Sequence, residues 1–296
     1  MNELVDALKD KGFSNVEQDQ VLKTCLLLIG KDTTFELKNF NKNNIKKIEE
    51  NWEKITESIY DAAKLLGTFG YVKYLGSAYI LSSLAYFYFL KQKMDKNNDE
   101  EQALKFVRNA QIMGYFGGST DTKLSIIAHS IKEARAFEAF NHNLAKHQTC
   151  PLKITNDAIE GMVFFDRYSR VFPVLQILYQ NLNYKTTTFY IDHIYPKSKF
   201  KKENEKLDKG FYECGNHLYN LQLLEGQENS AKKDKDPEVW LKEEYKNEQA
   251  QAIEEYKKRN YIDPKLKLEW ENIKEFRKKR EEAIIKRLKE VLLPQS

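Results

Sequence analysis

The feature that most constrains this chain is the helical spacing of apolar side chains through its first half. In the stretch IKKIEENWEKITESIYDAAKLLG, residues 45–67, apolar side chains recur every three or four positions. This spacing aligns them along one face of an α-helix, where they can pack against a neighbouring helix. The stripe consists of Ile45, Ile48, Trp52, Ile55, Ile59 and Ala62. The chain must therefore fold around packed helices.

The same spacing predicts helices through most of the remaining chain, including a long amphipathic helix at the C-terminus. The other predicted helices cover about residues 2–11, 17–29, 74–93, 100–113, 123–146 and 155–183, the last bent at Pro173. The most apolar run, Tyr74 to Leu90, has 17 residues and contains Gly, three Ser and four Tyr. It predicts a buried helix, since a membrane span needs about 20 strongly apolar residues.

Composition excludes several classes of protein. With 41% apolar residues the 296-residue chain can form a substantial core, as one large domain or two smaller ones. A net charge of +4 does not identify a polyanion ligand, so nucleic-acid contacts would depend on local patches such as Lys197, Lys199, Lys201 and Lys202. The three cysteines lie far apart, which argues against a disulfide framework and a four-thiolate zinc site. Together with the lack of a secretory signal, they predict a reducing, cytoplasmic setting without membrane contact.

The pattern changes after residue 185. The β-branched and aromatic run TTTFYI, residues 186–191, predicts a strand that Pro196 stops, and LYNLQLL, residues 218–224, predicts its partner. A charged loop, residues 197–215, separates them, and a short helix follows Gly226. We therefore predict a mainly α fold with a helical domain at 1–150. A second domain at 151–296 would hold a ββα core at about 186–236, flanked by helices.

The motif YIDHIYPKS places an Asp-His pair at the end of the first strand. Hydrolysis of a phosphodiester needs a base and a cation that neutralises the developing charge. His193 suits the base, because an unperturbed imidazole titrates near working pH. Asp192 and Asn229 offer the oxygen ligands that Mg²⁺ prefers, with Mn²⁺ or another divalent ion as an alternative.

Nearby side chains are candidates for supporting roles. Lys232 and Lys233, with Lys197 before the loop, are expected to bind DNA phosphates. Asn220 is predicted to brace the hairpin through its amide and so to orient His193. His217 is a possible contact to the site residues or to the substrate, although a plain loop role remains open.

These residues resemble the HNH, or His-Me finger, endonuclease superfamily, in which a β-hairpin and a helix hold one metal ion. The string DHIYPKS and the nine-residue step from Asn220 to Asn229 also look like the HNH domain of RNA-guided CRISPR nucleases. The resemblance implies His193 as general base, Asp192 and Asn229 as metal ligands, and Asn220 as hairpin brace.

A wider resemblance covers most of the chain. The string LYNLQLLEGQENSAKKDKDPEVWL and the helices around it are similar to the C-terminal half of GmrSD-type proteins, bacterial modification-dependent restriction and antiphage factors. In that family an N-terminal ParB-like domain with a DGQQR motif handles nucleotides, and the HNH half cuts DNA. No DGQQR occurs here, so we expect a nuclease half that is part of a longer protein or a separate subunit.

Two other functions remain open at this level. The helices could dock an NTPase partner while the HNH fold binds DNA without cutting it. An RNase or toxin-like HNH protein is the other alternative. Sequence specificity, oligomeric state and the choice between nicking and double-strand cleavage do not follow from the motifs.

Overall fold

Helices dominate the described part of the chain. The computed structural model describes residues 1–31, 33–34, 37–90, 98–134, 136–200, 214–226, 232–246 and 250–293. Within these residues the prediction of a mainly α fold is confirmed, with one small sheet. The chain divides into two compact units, Met1–Lys153 and Ile154–Ser296. The boundary predicted from the sequence lies three residues before this division.

The described part of the first unit is built mainly from α-helices. Their bounds are Asn2–Asp10, Gln18–Leu28, Lys42–Glu50, Trp52–Thr68, Ala78–Leu90, Asn98–Ile112, Thr120–Glu133 and Phe137–Lys146. The helix Ala78–Leu90 is buried along most of its length, as its apolar composition predicts. In the described part of the chain, no helix has the length and apolar character needed to cross a bilayer.

Two helical stretches are interrupted where the spacing alone predicts continuity. The prediction of one helix over 123–146 is wrong, because Ala134 and Ala136 adopt extended backbone between the helices Thr120–Glu133 and Phe137–Lys146. The stripe at 45–62 is divided at Asn51, whose side-chain amide donates to the carbonyl of Lys47 at 2.8 Å. Asparagine favours such local bonds to the backbone, which compete with helix continuation.

Three buried polar side chains of the first unit, Gln20, Thr24 and Ser82, bond to one another. Gln20 Nε2 donates to Ser82 Oγ at 2.7 Å and to Thr24 Oγ1 at 3.1 Å. The two hydroxyls of Thr24 and Ser82 lie 2.8 Å apart. This neutral cluster joins the helices Gln18–Leu28 and Ala78–Leu90 inside an otherwise apolar contact.

The second unit combines five helices of the described residues with the two-stranded sheet. The helices are Asn156–Gly161, Tyr168–Leu178, Pro237–Glu244, Ala250–Arg259 and Ile273–Leu292. The prediction of one helix over 155–183 is wrong, because a 3₁₀ turn at Met162–Phe164 and extended backbone at Phe165 separate the first two. Pro173 lies inside the helix Tyr168–Leu178.

The sheet pairs strand β1, Phe189–His193, with strand β2, Leu221–Glu225. The strands are antiparallel, with Asp192 opposite Gln222 and His193 opposite Leu221. Both strands begin three residues later than the sequence predicts, and Leu218–Asn220 forms a 3₁₀ turn before β2. The Asp-His pair therefore belongs to β1, and Asn220 precedes the second strand.

The C-terminal helix, Ile273–Leu292, packs its apolar side into the second unit. Ile273, Phe276, Ile284 and Leu288 are buried, as the helical spacing predicts. Arg280 is buried on the same side, although its charge marks it as a surface residue in the sequence. Its guanidinium donates to the carbonyls of Leu218, Tyr219, Leu221 and Asn260. The helix thereby holds the turn that leads into β2.

Candidate active site

Strand geometry separates the two members of the Asp-His pair. Adjacent strand residues point to opposite faces of a sheet, so Asp192 and His193 face different surroundings. Directly paired residues share a face, which brings Asp192 beside Gln222. Gln222 Nε2 donates to Asp192 Oδ2 at 3.0 Å. The carboxylate is therefore oriented by the partner strand.

Lys232 provides the second contact to the same carboxylate. Its ammonium lies 3.0 Å from Asp192 Oδ2 and also donates to the main-chain carbonyl of His193. The Lys232 side chain is only 1% exposed. A buried ammonium needs an opposite charge and hydrogen-bond acceptors, and this arrangement supplies both. The ammonium is thus occupied within the protein, whereas the sequence predicts that it contacts a DNA phosphate.

The polar contacts continue away from Asp192 into the core. Tyr256 donates its hydroxyl hydrogen to Gln222 Oε1 at 2.6 Å. Burial holds the pKa of Tyr256 well above its ordinary value, so the hydroxyl remains a donor. With its acceptor taken by Tyr256, Gln222 must present its amide nitrogen to Asp192. The helix Ala250–Arg259 therefore fixes the orientation of the Asp192 carboxylate through two hydrogen bonds.

His193 has a different set of partners. Its ring nitrogen Nε2 lies 2.9 Å from Asn216 Oδ1. Burial lowers the pKa of His193, while the Asn216 contact and Asp192 oppose the shift and Lys232 and Lys197 reinforce it. The net lowering favours the neutral imidazole near pH 7, which is the form that can accept a proton.

Asn220 links the two chain segments that carry these groups. It is fully buried, and its Oδ1 accepts from the main-chain N–H of Tyr195 at 2.9 Å. Its Nδ2 donates to the carbonyls of Tyr195 and Gly215, each at 2.9 Å. The main-chain N–H of Ile194 donates to the carbonyl of Asn220. These bonds join the chain after β1 to the turn before β2, next to His193.

The remaining predicted site residues lie in separate places. Asn229 lies outside the described residues. The described residues before and after it, Gly226 and Lys232, are helical. Lys233 is exposed and has a φ of 46°, a left-handed conformation that ends a helix. Lys197 is exposed at the start of the 3₁₀ turn Lys197–Lys199.

His217 lies next to Asn216 in the chain but does not contact His193 within the described residues. Its ring packs edge-on against Phe164 and Tyr219, with ring centroids 6.0 and 6.2 Å away. Its Nδ1 is buried without a hydrogen-bond partner in the described part of the chain. Burial, reinforced by Arg277, lowers its pKa. Asn216, the residue before it, contacts His193 instead. A contact of His217 to the substrate stays a prediction.

Asn216 and Gln222 are the site residues that sequence reasoning missed. Gln222 carried a usable signal, because it pairs with Asp192 once the strand register is known. No sequence pattern pointed to Asn216, because its contact with His193 joins residues that are distant in the chain. Within the described residues no group of three or more His, Cys, Asp and Glu side chains forms a metal site. A metal at Asp192 would therefore need other ligands as well.

Comparison with known proteins finds a similarity that covers the region of the candidate site. Residues 166–290 match the family model of GmrSD restriction endonucleases, C-terminal domain. The matched region contains both strands, Asp192, His193 and most of the C-terminal helix. No match was found among curated proteins. The match confirms the resemblance to the C-terminal half of GmrSD-type proteins, and residues 166–290 are accordingly similar to a restriction-endonuclease domain of that family.

Proposed function

We propose that the second unit is a metal-dependent HNH endonuclease that hydrolyses phosphodiester bonds of DNA. The observation that carries this proposal is the sheet that sets His193 and Asp192 side by side, each with its own partner. The pair lies inside the region similar to restriction endonucleases. A setting in modification-dependent, antiphage restriction in the bacterial cytoplasm fits this similarity. A ParB-like nucleotide-binding domain or subunit is the proposed partner.

The donor set at Asp192 is compatible with a divalent cation. Both protein contacts to the carboxylate go to Oδ2, and Oδ1 has no hydrogen-bond partner within the described residues. The Asp192 side chain is 13% exposed. Hard cations such as Mg²⁺ prefer carboxylate, amide and water oxygens, and we propose Asp192 and Asn229 as the protein ligands. Mn²⁺ has the same preference for oxygen.

His193 is the proposed catalytic base. Its neutral imidazole accepts a proton from a water molecule, whose oxygen bonds to phosphorus while the bond to the leaving oxygen breaks. The leaving oxygen takes a proton from solvent. When bound, the divalent ion supplies positive charge that stabilises the phosphoryl and leaving oxygens. Gln222 and Lys232 hold the Asp192 carboxylate still during this step.

The exposed lysines fit substrate binding better than the buried one. Lys197 and Lys233 are both exposed and lie after the Asp-His pair in the chain. We propose both as phosphate contacts. Lys232 instead has the structural partners described above. We therefore assign Lys232 to the support of Asp192 and His193.

A cleavage assay separates this proposal from its rivals. The chain is incubated with supercoiled plasmid in Mg²⁺ or Mn²⁺, with EDTA as the control, beside a single-stranded RNA of matched length. We expect metal-dependent nicking or linearisation of DNA, abolished by EDTA. Plasmid binding without cleavage in several metals would instead support a non-catalytic DNA-binding module. Faster cleavage of RNA than of DNA would support an RNase.

A further inference from the structure

Asn216 makes a direct contact to the proposed base. Its Oδ1 lies 2.9 Å from Nε2 of His193. A neutral imidazole carries one N–H, and an amide oxygen can only accept a hydrogen bond. The contact therefore requires the hydrogen of His193 to be on Nε2. That leaves the lone pair on Nδ1 as the basic position.

The turn that carries Asn216 is held from several sides. Asn216 ends the 3₁₀ turn Cys214–Asn216. The turn is tied by the bond from Asn220 Nδ2 to the carbonyl of Gly215 at 2.9 Å. A Cβ at Gly215 would lie 2.9 Å from Cγ of Phe200, so the turn packs too closely there for any side chain. Asn220 therefore holds both the turn that carries Asn216 and the chain segment that follows His193.

Three charged side chains act on His193: Asp192, Lys232 and Lys197. Asp192 and Lys232 are bonded to each other, and Lys197 is exposed. In the described part of the chain, the hydrogen bond to Asn216 is the directional contact of the imidazole ring. Ligand histidines and catalytic histidines in general depend on such a neighbour for their tautomer and ring orientation.

We propose that Asn216 is a positioning residue that fixes His193 as the Nε2–H tautomer and so directs Nδ1 toward the attacking water. This proposal rests on the proposed function of His193 as the base. In this role Asn216 acts through the imidazole. Its loss is therefore expected to slow the chemical step more than it weakens substrate binding.

The tautomer is tested in the full chain by ¹⁵N NMR of histidine-labelled protein, in which His193→Gln identifies the signal among the five histidines. The parent and Asn216→Asp, which keeps an acceptor oxygen, are expected to carry the hydrogen on Nε2. Asn216→Leu is expected to show a mixture of tautomers. A parent signal with the hydrogen on Nδ1, or an unchanged tautomer in Asn216→Leu, would overturn the proposal.

Kinetics provide the second readout. For Asn216→Leu we expect a loss of about 10–100-fold in the single-turnover rate, as for other neighbours that orient a functional side chain. KM should stay within about twofold of the parent value. Asn43→Leu, at an exposed position of the first unit, serves as the control. Full activity of Asn216→Leu would contradict the positioning role. Failure of the parent to cut DNA would instead remove the proposed function, while the NMR result still decides the tautomer.

Discussion

The two units bury polar groups in different ways. In the first unit the neutral side chains of Gln20, Thr24 and Ser82 bond to one another between helices. Within the described residues, the buried basic side chains all belong to the second unit: Lys232, Lys257 and Arg280. Each of these donates to main-chain carbonyls of segments that are not continuous helix.

This difference follows from the backbone around the candidate site. A helix satisfies most of its own N–H and C=O groups, so side chains are needed only at its ends. Turns such as Leu218–Asn220 leave buried carbonyls that need other donors. Long basic side chains meet this need in the second unit. We therefore expect substitutions of buried polar residues to lower the free energy of unfolding more near the site than in the first unit.

The largest effect is expected for Arg280→Met. The substitution leaves the carbonyls served by the guanidinium buried and unpaired, which should lower the free energy of unfolding of the second unit by about 3–5 kcal/mol. Urea unfolding followed by tryptophan fluorescence measures it. Arg287→Met, at a more exposed position of the same helix, should change the free energy by less than about 1 kcal/mol. Equal urea midpoints for Arg280→Met and the parent would contradict the expected difference between the two units.

Asn220→Ala is expected to rank next. It removes one acceptor and two donor contacts and leaves main-chain groups of Tyr195 and Gly215 unpaired, at a cost of about 2–4 kcal/mol. Amide hydrogen exchange provides an internal control. The N–H of Tyr195 should lose protection more than that of Ile194, whose partner is the backbone carbonyl of Asn220 and survives the substitution. Equal protection changes at both amides would argue against the bracing role.

Lys232→Met and Lys233→Met compare a buried with an exposed lysine. Lys232→Met should lower the free energy of unfolding by about 1–3 kcal/mol, because Asp192 and the carbonyl of His193 lose their cation. Lys233→Met should leave stability unchanged and reduce the slope of log affinity for DNA against log salt by about 1. DNA binding titrated at several salt concentrations measures this slope. If Lys232→Met reduced the salt slope without lowering stability, Lys232 would be the phosphate contact.

The smallest effect is expected in the first unit. Replacing Gln20 by Met, Thr24 by Val and Ser82 by Ala together removes the whole neutral cluster and leaves few unpaired partners. The free energy of unfolding should change by about 1 kcal/mol or less. Thermal unfolding of the triple variant tests this expectation. A loss as large as that of Arg280→Met would show that the two units do not differ in this respect.

The sequence was sufficient to predict features that repeat along the chain, such as the apolar side of a helix. It was not sufficient to predict contacts made by turns and loops. Apolar spacing identified the buried side of the C-terminal helix, including Phe276 and Ile284. The same spacing places position 280 on that side, four residues after Phe276 and four before Ile284. The burial of Arg280 was nevertheless not predicted, because a charged side chain is ordinarily placed toward solvent. Strand positions shifted by up to three residues, since β-propensity is weak beside the packing that decides where pairing begins.

The site shows the same division. The motif identified Asp192 and His193 as consecutive residues at the end of a strand. Their partners came from distant segments: Asn216 from the loop end, Gln222 from the partner strand and Tyr256 from a later helix. Pattern alone cannot supply such contacts, since they depend on how separate elements pack. Lys232 illustrates the consequence, because a lysine in a basic run turned out to be buried.

His193 is the proposed base of a metal-dependent DNA nuclease. The most direct test is the single-turnover cleavage rate of plasmid DNA in saturating Mg²⁺ by the parent and by His193→Ala, with matched thermal unfolding and metal binding. His129→Ala, at an exposed position of the first unit, is the control. We predict a loss of at least about 100-fold for His193→Ala and none for the control. A folded, metal-binding His193→Ala variant that cuts DNA at the parent rate would contradict the role of His193 as the base.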